Sequence, residues 1–127
     1  MHTSKQWLAR TISPEYQQAY DDIARHIPGN GTFLEVACGA GEIIRRVAEQ
    51  ETYARIIGAD ISSEMLSFAE QRLRNHGIPC ERVHVDQIPL LPEGVFLVQD
   101  NLLESTIPLE IADTSLFSFP ELGTHYR

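Results

Sequence analysis

The segment 33–51 constrains this chain more than any other. It opens with the apolar run Phe33-Leu34-Glu35-Val36-Ala37, passes through Cys38-Gly39-Ala40-Gly41, and continues into a stretch where Ile43, Ile44, Val47 and Ala48 share one helical face. An apolar run interrupted only by Glu35 is the pattern of a strand buried on both faces of a parallel sheet. Gly39 and Gly41 let the chain reverse from strand to helix and let a ligand approach the backbone closely. Arg45, Arg46, Glu49 and Gln50 are expected on the solvent face of the helix.

The flanking sequence continues in the same style. Ser13-Pro14 is a helix start, an N-cap hydroxyl followed by proline at the first helical position, with Glu15 favouring the dipole. Tyr16, Ala19, Tyr20, Ile23, Ala24 and Ile27 then trace one helical face, which Pro28-Gly29-Asn30-Gly31 ends. That spacing makes Tyr16 and Tyr20 a core-facing stripe. The strand predicted at 32–37 and the helix at 42–51 are followed by a buried strand at 55–61. Ser62-Ser63 caps a third helix with the stripe Met65, Leu66, Ala69 and Leu73, which Gly77 and Pro79 stop. The next strand has two candidates, 82–86 and 95–99, separated by the turn Pro89-Leu90-Leu91-Pro92-Glu93-Gly94. The second is preferred because its apolar run is more continuous. A last strand is expected at 114–119. This alternation predicts parallel strands joined by right-handed crossovers.

With 127 residues, one domain is expected: a helical N-terminal segment over 1–31 and a Rossmann-like core over 32–120. A hydrophobic fraction of 43% with 22% charged residues is that of a chain with a packed core. The net charge of −8 offers no footprint for phosphate backbones, so nucleic acid is not an expected partner. Nor is a membrane, since the apolar runs fall far short of the ~20 residues of a spanning helix, and a cytoplasmic location is expected. Cys38 and Cys80 read as reduced structural thiols, and His2, His26, His76, His84 and His125 lack metal-ligand spacing. No metal is expected. Asp21, Asp22, Glu49 and Glu51 read as solvated helix faces.

Asp60 closes the second strand, where doubly wound folds carry an acidic residue that chelates a ribose diol. Its alternative is a helix cap before Ser62. The glycine turn and Asp60 together point to a nucleoside or nucleotide. A dinucleotide site asks for a third glycine where this chain has Ile44, and Glu42 puts a negative charge where a pyrophosphate would sit. A glutamate inside a buried strand, Glu35, needs a donor, and a ligand ammonium group would serve.

FLEVACGAGE (33–42), GADIS (58–62), then Glu64-Met65-Leu66 and Ala69 resemble the class I S-adenosyl-L-methionine-dependent methyltransferases, over residues 16–120. The resemblance implies an α/β fold, a Rossmann-like parallel sheet of strand order 3-2-1-4, with S-adenosyl-L-methionine bound at the strands' C-terminal ends. It implies that Glu35 binds the methionine amino group directly or through water, the backbone from Ala37 through Gly39 to Gly41 holds the methionyl part, Asp60 takes the ribose hydroxyls and Ile61 packs on adenine. Asp100, with Asn101 beside it, would accept from the adenine amino group; Asp86 inherits that role if 82–86 is the third strand. Ser118 would lie near the methionyl end. Tyr16 and Tyr20 would reach the cofactor from the leading helix.

Methyl transfer from a sulfonium needs orientation and exclusion of water more than acid–base help, so no catalytic triad is expected. A complete class I fold has seven strands, and only seven residues follow Pro120. The expectation is therefore a truncated class I methyltransferase fold whose fourth strand has an unpaired edge, to be covered by a homodimer or partner subunit. Methylation of a small-molecule acceptor is the leading reading. The alternatives are a non-catalytic cofactor-binding or regulatory subunit and an NAD-dependent oxidoreductase.

Overall fold

The structure is a computed structural model that describes residues 4–100, 107–119 and 123–126. Two helices lead, α1 (Ser4–Thr11) and α2 (Pro14–Arg25); Ser13 caps α2 by accepting from Tyr16 N–H, and Pro14 begins it. The chain then alternates: β1 (Thr32–Val36), α3 (Glu42–Gln50), β2 (Arg55–Asp60), α4 (Ser63–Asn75), β3 (Glu81–Val83), β4 (Gly94–Gln99), β5 (Thr114–Phe119) and β6 (Gly123–Tyr126). They form one sheet of order β3-β4-β2-β1-β5-β6, parallel except for β6.

The expected 3-2-1-4 order is the interior of this sheet, β4-β2-β1-β5, with 95–99 as the strand beside β2. Two expectations are corrected at its flanks. The less preferred candidate, 82–86, is strand only at its start: Glu81–Val83 adds a short parallel edge to β4, and from Val85 the chain turns into a 3-10 helix. The strand at 114–119 is not an edge, because Gly123–Tyr126 folds back and pairs with it antiparallel. An antiparallel return needs only a tight connection, whereas a further parallel strand would need a crossover of a dozen or more residues.

Each β1 residue is buried, and the pleat sends alternate side chains to opposite faces. Phe33 joins a core with Ile43, Ile44, Val47, Leu66, Ala69 and Leu73 from α3 and α4. Leu34 and Val36 join one with Ile57, Ala59, Phe96 and Val98 on the other face. That second face is covered by short 3-10 helices, two turns at Val85–Leu90 and one at Leu109–Ile111, with Ile88 fully buried. Of the α2 stripe, Ala24 and Ile27 are buried and Tyr20 and Ile23 pack against the first core, while Ala19 remains exposed. No described helix is long and apolar enough to cross a membrane.

The missing third glycine has a counterpart across the interface. Ile44 Cδ1 lies 2.1 Å from where a Cβ on Gly58 would stand, so the room for close helix–strand packing is made on the strand. Gly58→Ala is therefore expected to cost about 1 to 3 kcal/mol by overpacking, read from the urea midpoint. Combining it with Ile44→Val should recover part of that loss; additive losses would show that the two side chains do not compete for the same space.

Candidate functional site

At the C-terminal ends of β1 and β2 the chain converges on the turn 37–41. Ala37 and Gly39 take left-handed conformations, φ 63° and 56°, and Gly41 caps α3 at φ 79°. For alanine that conformation costs about 1 to 2 kcal/mol, so Ala37 is a strained point in the turn. Asp60 ends β2 and faces it. Its Oδ2 accepts from Gly39 N–H at 2.8 Å and its Oδ1 from Ser62 N–H at 2.9 Å. Both sequence readings of Asp60 hold in part: it braces the start of α4, where the Ser62 hydroxyl caps Met65 N–H, and it stands against the glycine turn.

Glu35 is 1% exposed, on the same face of β1 as Phe33 and one residue before the strand ends. Ser118 on β5 donates to its Oε2 at 2.7 Å, while Oε1 is buried without a hydrogen-bond partner among the described residues. Burial pushes the Glu35 carboxyl up to about 8; the Ser118 hydrogen bond opposes this and the Asp60 charge adds to it. Burial likewise pushes the Cys38 thiol up, with the negative charges of Glu35 and Asp60 adding, which keeps it protonated and inert. Asp100 follows β4 and its backbone N–H bonds the Asp60 carbonyl at 3.0 Å. Its Oδ2 is also buried and unpartnered among the described residues. Ile61, beside Asp60, is 56% exposed, a large apolar side chain left on the surface.

Glu35, Ala37, Gly39, Gly41, Asp60, Ile61, Asp100 and Ser118 therefore gather at one end of adjacent strands; Asn101 lies outside the described residues. The set fits a ligand that brings donors. Two buried carboxyl oxygens, Glu35 Oε1 and Asp100 Oδ2, have no hydrogen-bond partner among the described residues, and leaving a buried polar group unpaired costs about 1 to 3 kcal/mol. No cluster of metal-binding side chains occurs among the described residues.

Two charged residues differ from expectation. Arg46, expected on the solvent face of α3, is buried: its Nε donates to Asp21 at 2.6 Å, its Nη2 to Gln17 at 2.8 Å, and its guanidinium stacks 5.5 Å from the Tyr20 ring. Glu42 does not project from the helix start. It is 4% exposed, accepts from Gln17, and forms ion pairs with Arg72 at 2.6 Å and Arg46 at 3.8 Å. Asp21 is exposed yet ion-paired, so it is more than a solvated face. Periodicity within one helix cannot show this, because the partners stand on α2, α3 and α4. Burial pushes the Tyr20 hydroxyl up as well, reinforced by the charges of Glu42 and Glu35.

Glu35 gives the ligand-free chain a pH signature. Its folded value lies above the ordinary 4.5, so between the two values the folded chain holds a proton that the unfolded chain has lost. Its contribution to stability is complete below about 4.5, declines as pH rises, and is gone once pH passes about 8, a slope of about 1.4 kcal/mol per pH unit. Urea unfolding at pH 5, 6, 7 and 8 should show Glu35→Gln losing less stability over this range than the parent. Parallel slopes would show that Glu35 ionises freely in the folded chain.

The methyltransferase domain family matches residues 33–100. YqeM of Bacillus subtilis strain 168, a protein named as a methyltransferase, is 43% identical over 58 residues, 46% of this chain and 23% of that one. Among solved structures, a Methanococcus maripaludis protein described as an S-adenosyl-L-methionine-dependent methyltransferase matches 94% of this chain and 50% of its own, with TM-score 0.65 and 16% identity. DesVI of Streptomyces venezuelae matches 93% of this chain and 58% of its own, with TM-score 0.50 and 17% identity. At those identities the structural likeness is one of fold. The chain spans about a quarter of the curated relative and about half of these structures.

Proposed function

Because the chain belongs to the methyltransferase domain family, we propose that it binds S-adenosyl-L-methionine at the C-terminal ends of β1, β2 and β4 and takes part in methylating a small-molecule acceptor. The observation that carries this reading is the pair of orphaned carboxylate oxygens, Glu35 Oε1 and Asp100 Oδ2, on either side of Asp60. Their chemistry suits the two nitrogen donors at opposite ends of that cofactor. Glu35 would take the methionyl ammonium, with Ser118 steadying its other oxygen. Asp100 would take the adenine amino group, and Ile61 supplies apolar surface for the ring. Both Asp60 oxygens accept one backbone N–H each, which leaves lone pairs for the ribose hydroxyls.

When bound, the cofactor supplies an electrophilic methyl group on a sulfonium. The chain's own residues bind and orient: they fix the two ends of the ligand and exclude water around the Glu35 carboxylate. Pairing Glu35 with an ammonium requires the carboxyl to ionise, so binding near neutrality releases its proton to solvent. Affinity for S-adenosylhomocysteine should accordingly rise between pH 6 and pH 8, and Glu35→Gln should remove that rise.

Calorimetric titration of the full chain with S-adenosyl-L-methionine, S-adenosylhomocysteine and NAD tests the reading. Asp60→Ala should weaken S-adenosylhomocysteine binding by about 1 to 3 kcal/mol, as hydrogen bonds to a charged group are lost. Asp60→Asn, which keeps one acceptor oxygen, should fall between. Tight NAD binding with none of S-adenosylhomocysteine would overturn the proposal, and unchanged affinity in Asp60→Ala would take Asp60 out of the site.

A further inference from the structure

The turn at 37–41 is closed by a side chain that no part of the strand–turn–helix segment supplies. Arg72, on α4, donates from Nε to the Ala40 carbonyl at 3.1 Å, and its Nη1 stands 2.6 Å from Glu42 Oε1. The Ala40–Gly41 peptide is planar, so its carbonyl and N–H rotate as one body. Its other end is held too, since Gly41 N–H donates to the Cys38 carbonyl at 3.1 Å. The Cys38–Gly39 peptide is fixed in the same way, its carbonyl taking Gly41 N–H and its N–H donating to Asp60 at 2.8 Å.

Asp60 ties the turn to the start of α4, and Arg72 ties it to the last turns of the same helix by a charged hydrogen bond; Arg72 is itself oriented. Glu42 is buried, and it is held in place by Gln17 and by Arg46, which Asp21 braces in turn. A planar guanidinium can serve a carbonyl and a carboxylate in two directions at once; a lysine ammonium on a flexible stem cannot match that fork.

We propose that Arg72 is a positioning residue for the cofactor: it clamps the Ala40–Gly41 peptide so that the turn is formed before the ligand arrives, with Glu42 aiming the clamp. The clamp rests on the proposed binding of S-adenosyl-L-methionine. A turn with two glycines in left-handed conformations has other backbone states open to it, and ordering it during binding would be subtracted from affinity. Removing the clamp therefore acts on binding without removing any group that touches the ligand.

The test uses the full chain with Arg72→Met and Arg72→Lys, and Arg74→Met as a control that removes a charge from the same helix away from the turn. S-adenosylhomocysteine affinity is titrated, and the amide resonances of Gly39, Ala40 and Gly41 are followed in the ligand-free proteins. Arg72→Met should lower affinity roughly tenfold, Arg72→Lys should restore it only in part, and Arg74→Met should leave it unchanged. The turn amides should shift or broaden in both Arg72 variants while those of Ile57 and Leu97 stay in place. Affinity within about twofold of the parent in folded Arg72→Met overturns the clamp, and so does full rescue by lysine, which would reduce Arg72 to a charge. If Arg72→Met does not fold, Arg72→Lys decides by the same readings. If the parent itself fails to bind S-adenosylhomocysteine, the cofactor reading falls, and the clamp is then judged on the turn amides alone: unmoved resonances sink it.

Discussion

The hydrogen bond from Gly39 N–H to Asp60 is the contact on which the rest of this site hangs. Parallel strands bring the ends of β1 and β2 side by side, but the ladder alone does not fix the path of the chain beyond them. Asp60 extends the pairing by one step: it holds the turn with one oxygen and the start of α4 with the other. The peptide groups at the ends of β1 and β2 are thereby fixed in place. A carboxylate in this position also keeps lone pairs on both oxygens, so the group that organises the backbone remains able to accept from a ligand.

Carboxylates are handled in two ways within a few residues of one another. Glu42 is buried among arginines and a glutamine, its charge balanced inside the protein. Glu35, even less accessible, has one hydroxyl donor and an oxygen without a hydrogen-bond partner among the described residues, and its carboxyl is pushed toward the neutral form. Desolvation without compensation is tolerated where a ligand is to supply the compensation. The contrast separates a carboxylate whose charge is met inside the fold from one that, in the proposed function, is met by the ligand. It also accounts for the placement of Arg46 and Arg72, which serve the first and stay clear of the second.

Much of this is legible in the sequence. The Ser13 and Ser62 caps, the amphipathic stripes of α3 and α4, and the order of the four central strands follow from local rules. So does the convergence of Glu35, Asp60 and Ser118, because parallel strands put their C-terminal ends together. The edges are legible only in part. The run 82–86 reads as a strand candidate, but its pattern does not show that both it and 95–99 are strands or that it ends at Val83, and Gly123–Tyr126 is too short to carry a periodic signal. The Gly58–Ile44 exchange is hidden for another reason: close approach of helix and strand needs a missing Cβ on either surface, and a motif reads only one of them.

What the order of residues settles alone is whatever is decided among near neighbours: the reversal at Gly39 and Gly41, the helical stripes, the alternation that buries both faces of β1. These depend on backbone sterics and side-chain period, which act over a few residues. Packing decides what passes between elements far apart in the chain. Arg46 is inside because Asp21 and Gln17 of α2 come to meet it, and Arg72 reaches Ala40 across 32 residues. A charge next to solvent and a charge next to its partner look identical in sequence; desolvation and Coulomb attraction distinguish them only once the helices have been laid against one another.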